Sequence, residues 1–207
     1  MTIVRLRLLL LLIPFLALPG CGSIPPLNFS VPNVGPSDHK IDAEVRSITV
    51  TPARPDEQTA EVPAGVETAL PLWKEAVEEA LNRMAIFTDN APKTVSVSVK
   101  VLGFDLPGAG FSMTTTTYAR YEIIDRESGG IIFTTDITAV GTTPSDYAFL
   151  GAARARESVN RSVQNSITQF LQQLETLDIN KPMFPAPTAT PAPENSPAPK
   201  SDSGGTS

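Results

Sequence analysis

Apolar and polar positions change period several times along the chain, and each change marks an element. The cleanest stretch is Val95, Val97, Val99 and Val101 alternating with Ser96, Ser98 and Lys100. A period of two places all four valines on one face, so a strand with one buried and one wet face is expected over 93–106. A second long strand is expected over 112–125, through the threonine run at 114–117, Tyr118, Tyr121 and Ile123, and a third over 131–142. Short turns at 107–111 and 126–130, the latter holding Gly129 and Gly130, join these three as a meander. Upstream, Ile41, Ala43 and Val45 alternate, then Ile48 and Val50 resume one residue out of phase. That slip near Arg46 and Ser47 predicts a bulged strand over 41–51.

Two segments have the helical period instead. Leu70, Trp73, Val77, Leu81 and Met84 recur at threes and fours, predicting a helix over 69–87 with Thr68 as its cap. Lys74 with Glu78, and Glu79 with Arg83, are spaced to pair on its wet side. Ala152, Ala155, Val159, Val163, Ile167, Phe170, Leu174 and Leu177 form the stripe of a long final helix, capped by Ser145 or Asp146. Glu157 on that helix can pair with Arg154 or Arg161. The order is β-α-β-β-β-α. It predicts an α+β fold, an antiparallel sheet of about four strands with two helices packed on one face. The domain is expected over 40–180, with a flexible tether at 21–39 and a disordered, proline-rich tail at 181–207.

The first twenty residues have a different pattern. Arg5 and Arg7 precede an apolar run at 8–18 that is broken only by Pro14. A membrane-spanning helix needs roughly 20 apolar residues, so this shorter run reads as the core of a secretory signal peptide over 1–20. It ends in Leu18-Pro19-Gly20-Cys21. An apolar residue three before the cysteine and a small one just before it resemble the lipobox of bacterial lipoproteins. The resemblance implies a diacylglyceryl group on the Cys21 thiol, cleavage before Cys21, and an acyl chain such as palmitate on the new amine. The alternative is an ordinary signal followed by an incidental thiol. The spacing and the absence of any other cysteine favour the lipobox. Gly22, rather than Asp, follows Cys21, which in lipoproteins of Gram-negative bacteria implies the outer membrane, facing the periplasm.

Composition narrows the chemistry. The 207 residues hold 16 basic and 22 acidic side chains, and removal of Arg5 and Arg7 takes the net charge from -6 to -8. An acidic chain lacks the basic face that nucleic-acid binding needs. One cysteine excludes an internal disulfide framework and cysteine-cluster metal sites. One histidine, His39, lies in the expected tether, where nothing would hold it beside a nucleophile. Gly108-Ala109-Gly110 precedes a strand rather than a helix, so it reads as a turn and not a dinucleotide cradle. Asp105, Asp125 and Asp136 could form a carboxylate site but are expected at wet strand ends and faces. The threonine run reads as a solvated pleat or, alternatively, as a polar surface that pairs with another protein. Trp73 reads as a core anchor. No catalytic residue, cofactor or metal is expected.

The helix from Trp73 to Phe87 ahead of the Val95 strand, Tyr121-Glu122-Ile123-Ile124-Asp125 ahead of Gly129 and Gly130, and a long last helix ending Phe170-Leu171-Gln172-Gln173-Leu174 form a recognisable layout. It resembles small envelope lipoproteins of the lipopolysaccharide-assembly, YajG-like and ABC-transport auxiliary types. That resemblance implies a non-catalytic adaptor in envelope assembly or transport, with the bilayer and an envelope protein as partners. The alternative is a carrier of a small ligand or lipid in a cleft between helices and sheet.

Overall fold

In the strand β2 (Thr94–Asp105) the valine alternation is realised: Val95, Val97, Val99 and Val101 are fully buried, and Ser96, Ser98 and Lys100 are half-buried on the other face. The computed structural model that establishes this describes residues 24–181. β2 pairs antiparallel with β3 (Met113–Asp125), which pairs antiparallel with β4 (Ile131–Thr143), giving the expected meander. Strand β1 (Glu44–Pro52) lies on the far side of β2 and runs parallel to it, so the spatial order is β1-β2-β3-β4. The sheet is therefore mixed, not purely antiparallel as expected. The cause is the helix α1 (Leu70–Met84) between β1 and β2 in sequence. A crossover helix carries the chain back to the end where β1 began, so β2 must run the same way.

The phase slip in β1 is a register shift between Val45 and Ser47. A second shift, between Val101 and Gly103, falls where the chain at 59–61 joins β2. Thr59 donates to the Leu102 carbonyl and Phe104 to the Glu61 carbonyl, both at 2.9 Å. Gly103 sits at φ 147°, and a Cβ there would lie 2.4 Å from the Ala60 carbonyl oxygen, so only glycine admits this approach.

Both helices cover the valine face. On α1, Trp73, Val77, Leu81 and Met84 are buried as the period predicts, joined by Ala76 and Ala80. Its N-cap is Ala69 rather than Thr68, whose hydroxyl instead bonds the Gly65 carbonyl across a short 3-10 turn. α1 stops at Met84 because Ala85 turns left-handed (φ 46°), and Ile86 and Phe87 pass to an extended segment beside Ile41. The last helix, α2 (Gly151–Leu174), buries Val163, Ile167, Phe170 and Leu174 as expected. Its first half does not follow the expected stripe. Ala152 is exposed, and Ala155 and Val159 are half-buried, while Ser158, Ser162 and Ser166 face the sheet. Its N-cap is Leu150, with no side-chain cap from Ser145 or Asp146.

Three inward strand residues explain the serine stripe. Thr115 meets Ser158 at 2.8 Å, Thr117 meets Ser162 at 2.7 Å, and Tyr121 meets Ser166 at 3.0 Å. Polar meets polar inside the core, so each of these six hydroxyls is satisfied. Small residues let the layers approach: a Cβ on Gly141 would sit 2.2 Å from the Ser162 backbone nitrogen.

The segment expected as a free tether is instead, from residue 27 on, a strap between the helices. Phe29 and Val31 are 2% and 4% exposed. Phe29 packs edge-on against Trp73, which packs edge-on against Phe104, with centroids 6.1 and 6.3 Å apart. Asn28 exchanges hydrogen bonds with Asn160 and Gln164 of α2, and Val31 accepts one from Arg83 of α1. Ser37 closes the strap by bonding the Met84 carbonyl and the Glu175 carboxylate, both at 2.7 Å. The prolines around Leu27-Asn28-Phe29-Ser30-Val31 conceal a short alternation that drives this docking.

Candidate functional site

The side chains weighed for catalysis have separate partners. His39 Nε2 lies 3.0 Å from the Leu177 carbonyl, tying the end of the strap to the end of α2. Asp105 accepts from the Tyr118 hydroxyl at 2.6 Å. Asp125 accepts from the backbone N–H groups of Glu127 and Ser128 and so closes the β3–β4 turn. Asp136 takes both arms of Arg120, at 2.6 and 2.8 Å. Asp105 pairs with Thr116 and Val95 with Asp125, so Asp105 and Asp125 stand at opposite ends of the sheet, roughly 30 Å apart by strand rise. Gly108-Ala109-Gly110 lies in the β2–β3 turn, where Gly110 accepts from Arg154. Among the described residues no three His, Cys, Asp or Glu side chains are grouped to hold a metal. Cys21, the expected acylation site, lies outside the described residues, as do the signal segment 1–20 and the tail from 182 on. Among the described residues no helix is long and apolar enough to cross a membrane.

The outward face of the sheet carries charges that answer one another. Arg120 and Asp136 face each other across β3 and β4, and Lys100 lies 3.5 Å from Glu122 and 3.6 Å from Glu57. The hydrogen bond from Arg120 holds the Asp136 carboxyl below its ordinary range and raises Arg120 in return. Glu57 is lowered chiefly by its hydrogen bond with Arg54. Tyr118 is raised because its hydroxyl donates to Asp105. Inside, burial pushes the Tyr121 hydroxyl above its ordinary value, and the Ser166 hydrogen bond offsets only part of that. Tyr121 therefore stays neutral and, stacked 4.5 Å from Phe170, belongs to the packing. The threonine run divides: Thr114 pairs outside with Thr142 at 3.1 Å, and Thr115 and Thr117 are buried in the helix seam. β3 is interior to the sheet, so the run does not form an edge.

The two sheet edges differ. At β4, α2 reaches over the rim: Asn165 donates to the Val140 carbonyl at 2.8 Å and Arg161 to the Thr142 carbonyl at 2.9 Å. Backbone groups there are capped by side chains, a common protection of edges. Arg161 also makes the expected ion pair with Glu157, at 2.8 Å. At β1, Ala53 donates inward to Val101 at 2.9 Å. Alternation then turns the N–H and C=O of Ile48 and Val50 away from β2. Pro52, which has no donor, occupies an outward position, as proline does on edge strands. Beside this edge a groove of about 450 Å³ separates β1 from α1, lined by Glu44, Arg46, Ile48, Lys74, Glu78 and Asp89 among others. Arg46 is tied to Glu44 at 2.9 Å, which leaves the groove acidic on balance.

Sequence reasoning missed this asymmetry. Its one sequence signal was Pro52 ending a strand; the capping of β4 depends on where α2 lies.

No family model matches the chain, and no curated protein matches it. Among solved structures it is similar to a Xanthomonas campestris protein of family DUF330, at 11% identity over 73% of this chain and 93% of that one, with a TM-score of 0.49. It is similar to a minor lipoprotein from Acinetobacter baumannii, at 16% identity over 66% of this chain and 93% of that one, with a TM-score of 0.36. It is also similar to rare lipoprotein B from Shewanella oneidensis, at 11% identity over 65% of this chain and 97% of that one, with a TM-score of 0.36. At this distance the fold assignment rests on the chain's own geometry.

Proposed function

We propose that the chain is a lipoprotein held to the periplasmic side of the outer membrane by acyl chains on Cys21, and that its domain is a non-catalytic adaptor. It binds an extended segment of an envelope protein along the edge of β1. The anchor is supported by Leu18-Pro19-Gly20-Cys21 behind a short apolar run, and the outer-membrane placement by Gly22. The observation that carries the recognition is the contrast between the β4 edge, capped by Asn165 and Arg161, and the β1 edge, which turns the backbone groups of Ile48 and Val50 outward and opens at Ile48 onto a groove. Strand addition supplies affinity through main-chain hydrogen bonds and specificity through side-chain pockets. With Glu44 paired to Arg46, the net acidity of Glu78 and Asp89 over Lys74 suits a segment that places a lysine or arginine beside α1. The carrier reading has less support, because Trp73, Tyr121 and Phe170 fill the space between helices and sheet.

The test is photo-crosslinking in cells from exposed Thr49. The expected result is one defined envelope-protein adduct that Val50→Pro abolishes. That substitution removes an outward donor and leaves the β1–β2 ladder intact. An adduct that survives Val50→Pro would contradict strand addition. Crosslinks only from positions away from the β1 edge, such as Thr116 on β3, would do the same.

A further inference from the structure

Phe149 and Phe111 are the most exposed large apolar side chains among the described residues, at 105% and 86%. They occupy two different loops, β4–α2 and β2–β3, which open at the same end of the sheet because Met113 pairs with Thr143. Leu106, Tyr147 and Leu150, also exposed, lie in the same two loops. Arg154 clamps the loops together. Its guanidinium donates to the Ala148 and Phe149 carbonyls at 2.6 and 3.0 Å and to the Gly110 carbonyl at 3.4 Å. The aromatic rings are therefore presented outward on a tied platform. Exposed large apolar side chains gathered at one end of a folded domain mark contact with something apolar.

The strap shows what that surface meets. It runs alongside α2 in the same direction, with Asn28 at Asn160 and Gln164 and Ser37 at Glu175. Followed backwards from Pro26, which accepts from Asn160, the chain heads toward the start of α2 and the two aromatic loops. From Asn160 to Gly151 is about 13 Å along the helix axis. From Pro26 to Cys21 the backbone can span at most about 17 Å. That length is enough for Cys21 to reach the plane of Phe111 and Phe149. Arg156, in the second turn of α2, adds a cation suited to lipid phosphates at that end.

We propose that this end of the domain is a second membrane contact. Phe111 and Phe149 enter the interfacial layer of the bilayer that holds Cys21, and the sheet stands with its β2–β3 and β4–α2 loops on the membrane. The inference rests on the anchor reading above, and it fixes how the anchored domain is oriented.

The experiment uses the full chain extracted from membranes and reconstituted into phosphatidylethanolamine–phosphatidylglycerol vesicles, with and without brominated acyl chains. Phe149→Trp and Phe111→Trp are examined separately. The native Trp73 is buried and supplies a constant background. The expected result is a blue shift on reconstitution and quenching by brominated lipid for each new tryptophan, with wild type unchanged. A protein that floats with the vesicles while both new tryptophans keep aqueous emission would overturn the loop contact, assign the patch to a protein partner, and leave the anchor standing. A wild-type protein that fails to float, like Cys21→Ser, would overturn the anchor and the loop contact with it.

Discussion

Gly141→Ala tests whether the helix–sheet distance is set by the hydroxyl seam. A Cβ at this position would lie 2.2 Å from the Ser162 nitrogen, 2.4 Å from the Ser158 carbonyl oxygen and 2.8 Å from the Arg161 carbonyl carbon. All three are backbone atoms of α2, so no side chain can swing aside. The helix must retreat by about 1 Å to reach ordinary contact, an overpacking strain of about 1–3 kcal/mol. That retreat stretches the Thr115–Ser158, Thr117–Ser162 and Tyr121–Ser166 bonds, now 2.8, 2.7 and 3.0 Å, beyond useful length. Each lost bond costs about 1 kcal/mol. The expected total is about 4–6 kcal/mol, a large part of the ~5–15 kcal/mol that holds a domain together. Urea unfolding followed by Trp73 fluorescence reads it as a lower midpoint with the slope m unchanged. A loss below about 1 kcal/mol would refute the reasoning, since α2 could then step back without consequence.

The seam also predicts an inequality between its partners. Ser162 already donates its hydroxyl hydrogen to the Val159 carbonyl at 2.9 Å, so Thr117 must be the donor between them. Ser162→Ala therefore strands a buried donor at about 1–3 kcal/mol, and Thr117→Val costs less; chemical denaturation of the two variants decides. Phe29→Ala is expected to lose about 3–5 kcal/mol by the same assay, because the strap is part of the core; an unchanged midpoint would return residues 27–39 to a free tether. Asp136 should titrate by NMR below its ordinary 3.8, and Arg120→Gln should restore it. A depressed folded-state value stabilises the protein above the ordinary value and is lost as pH falls through the lowered one. With the Asp136 side chain 55% exposed the pair contributes under about 1 kcal/mol, so acid unfolding should barely respond to Asp136→Asn.

What the sequence discloses depends on whether period and chemistry agree. The valines of β2 and the Trp73, Val77, Leu81 and Met84 stripe of α1 are apolar at the right spacing, and both elements were legible. In α2 the positions that meet β3 include Ser158, Ser162 and Ser166, so in its first half an apolar search lands on Ala152, Ala155 and Val159. Ser158, Ser162 and Ser166 keep a spacing of four, but that spacing means burial only once Thr115, Thr117 and Tyr121 are placed opposite. Strand direction was not in the alternation either, which is the same for parallel and antiparallel neighbours. It was in the connection, where an intervening helix demands a parallel return. The carboxylates at 105 and 136 find partners 13 and 16 residues away, which spacing does not disclose, whereas Asp125 bonds the turn that directly follows it. The β1 edge and the Phe111–Phe149 platform are properties of the assembled fold, since exposure of a backbone or a ring depends on what the other elements cover.

The account depends on Cys21 tying a folded adaptor to a bilayer. Intact mass spectrometry of the protein extracted from the membranes of cells that make it tests this directly. The account predicts a mature chain that begins at Cys21 and carries a diacylglyceryl group and an added acyl chain. A chain that begins elsewhere, or a Cys21 with a free thiol, would contradict it.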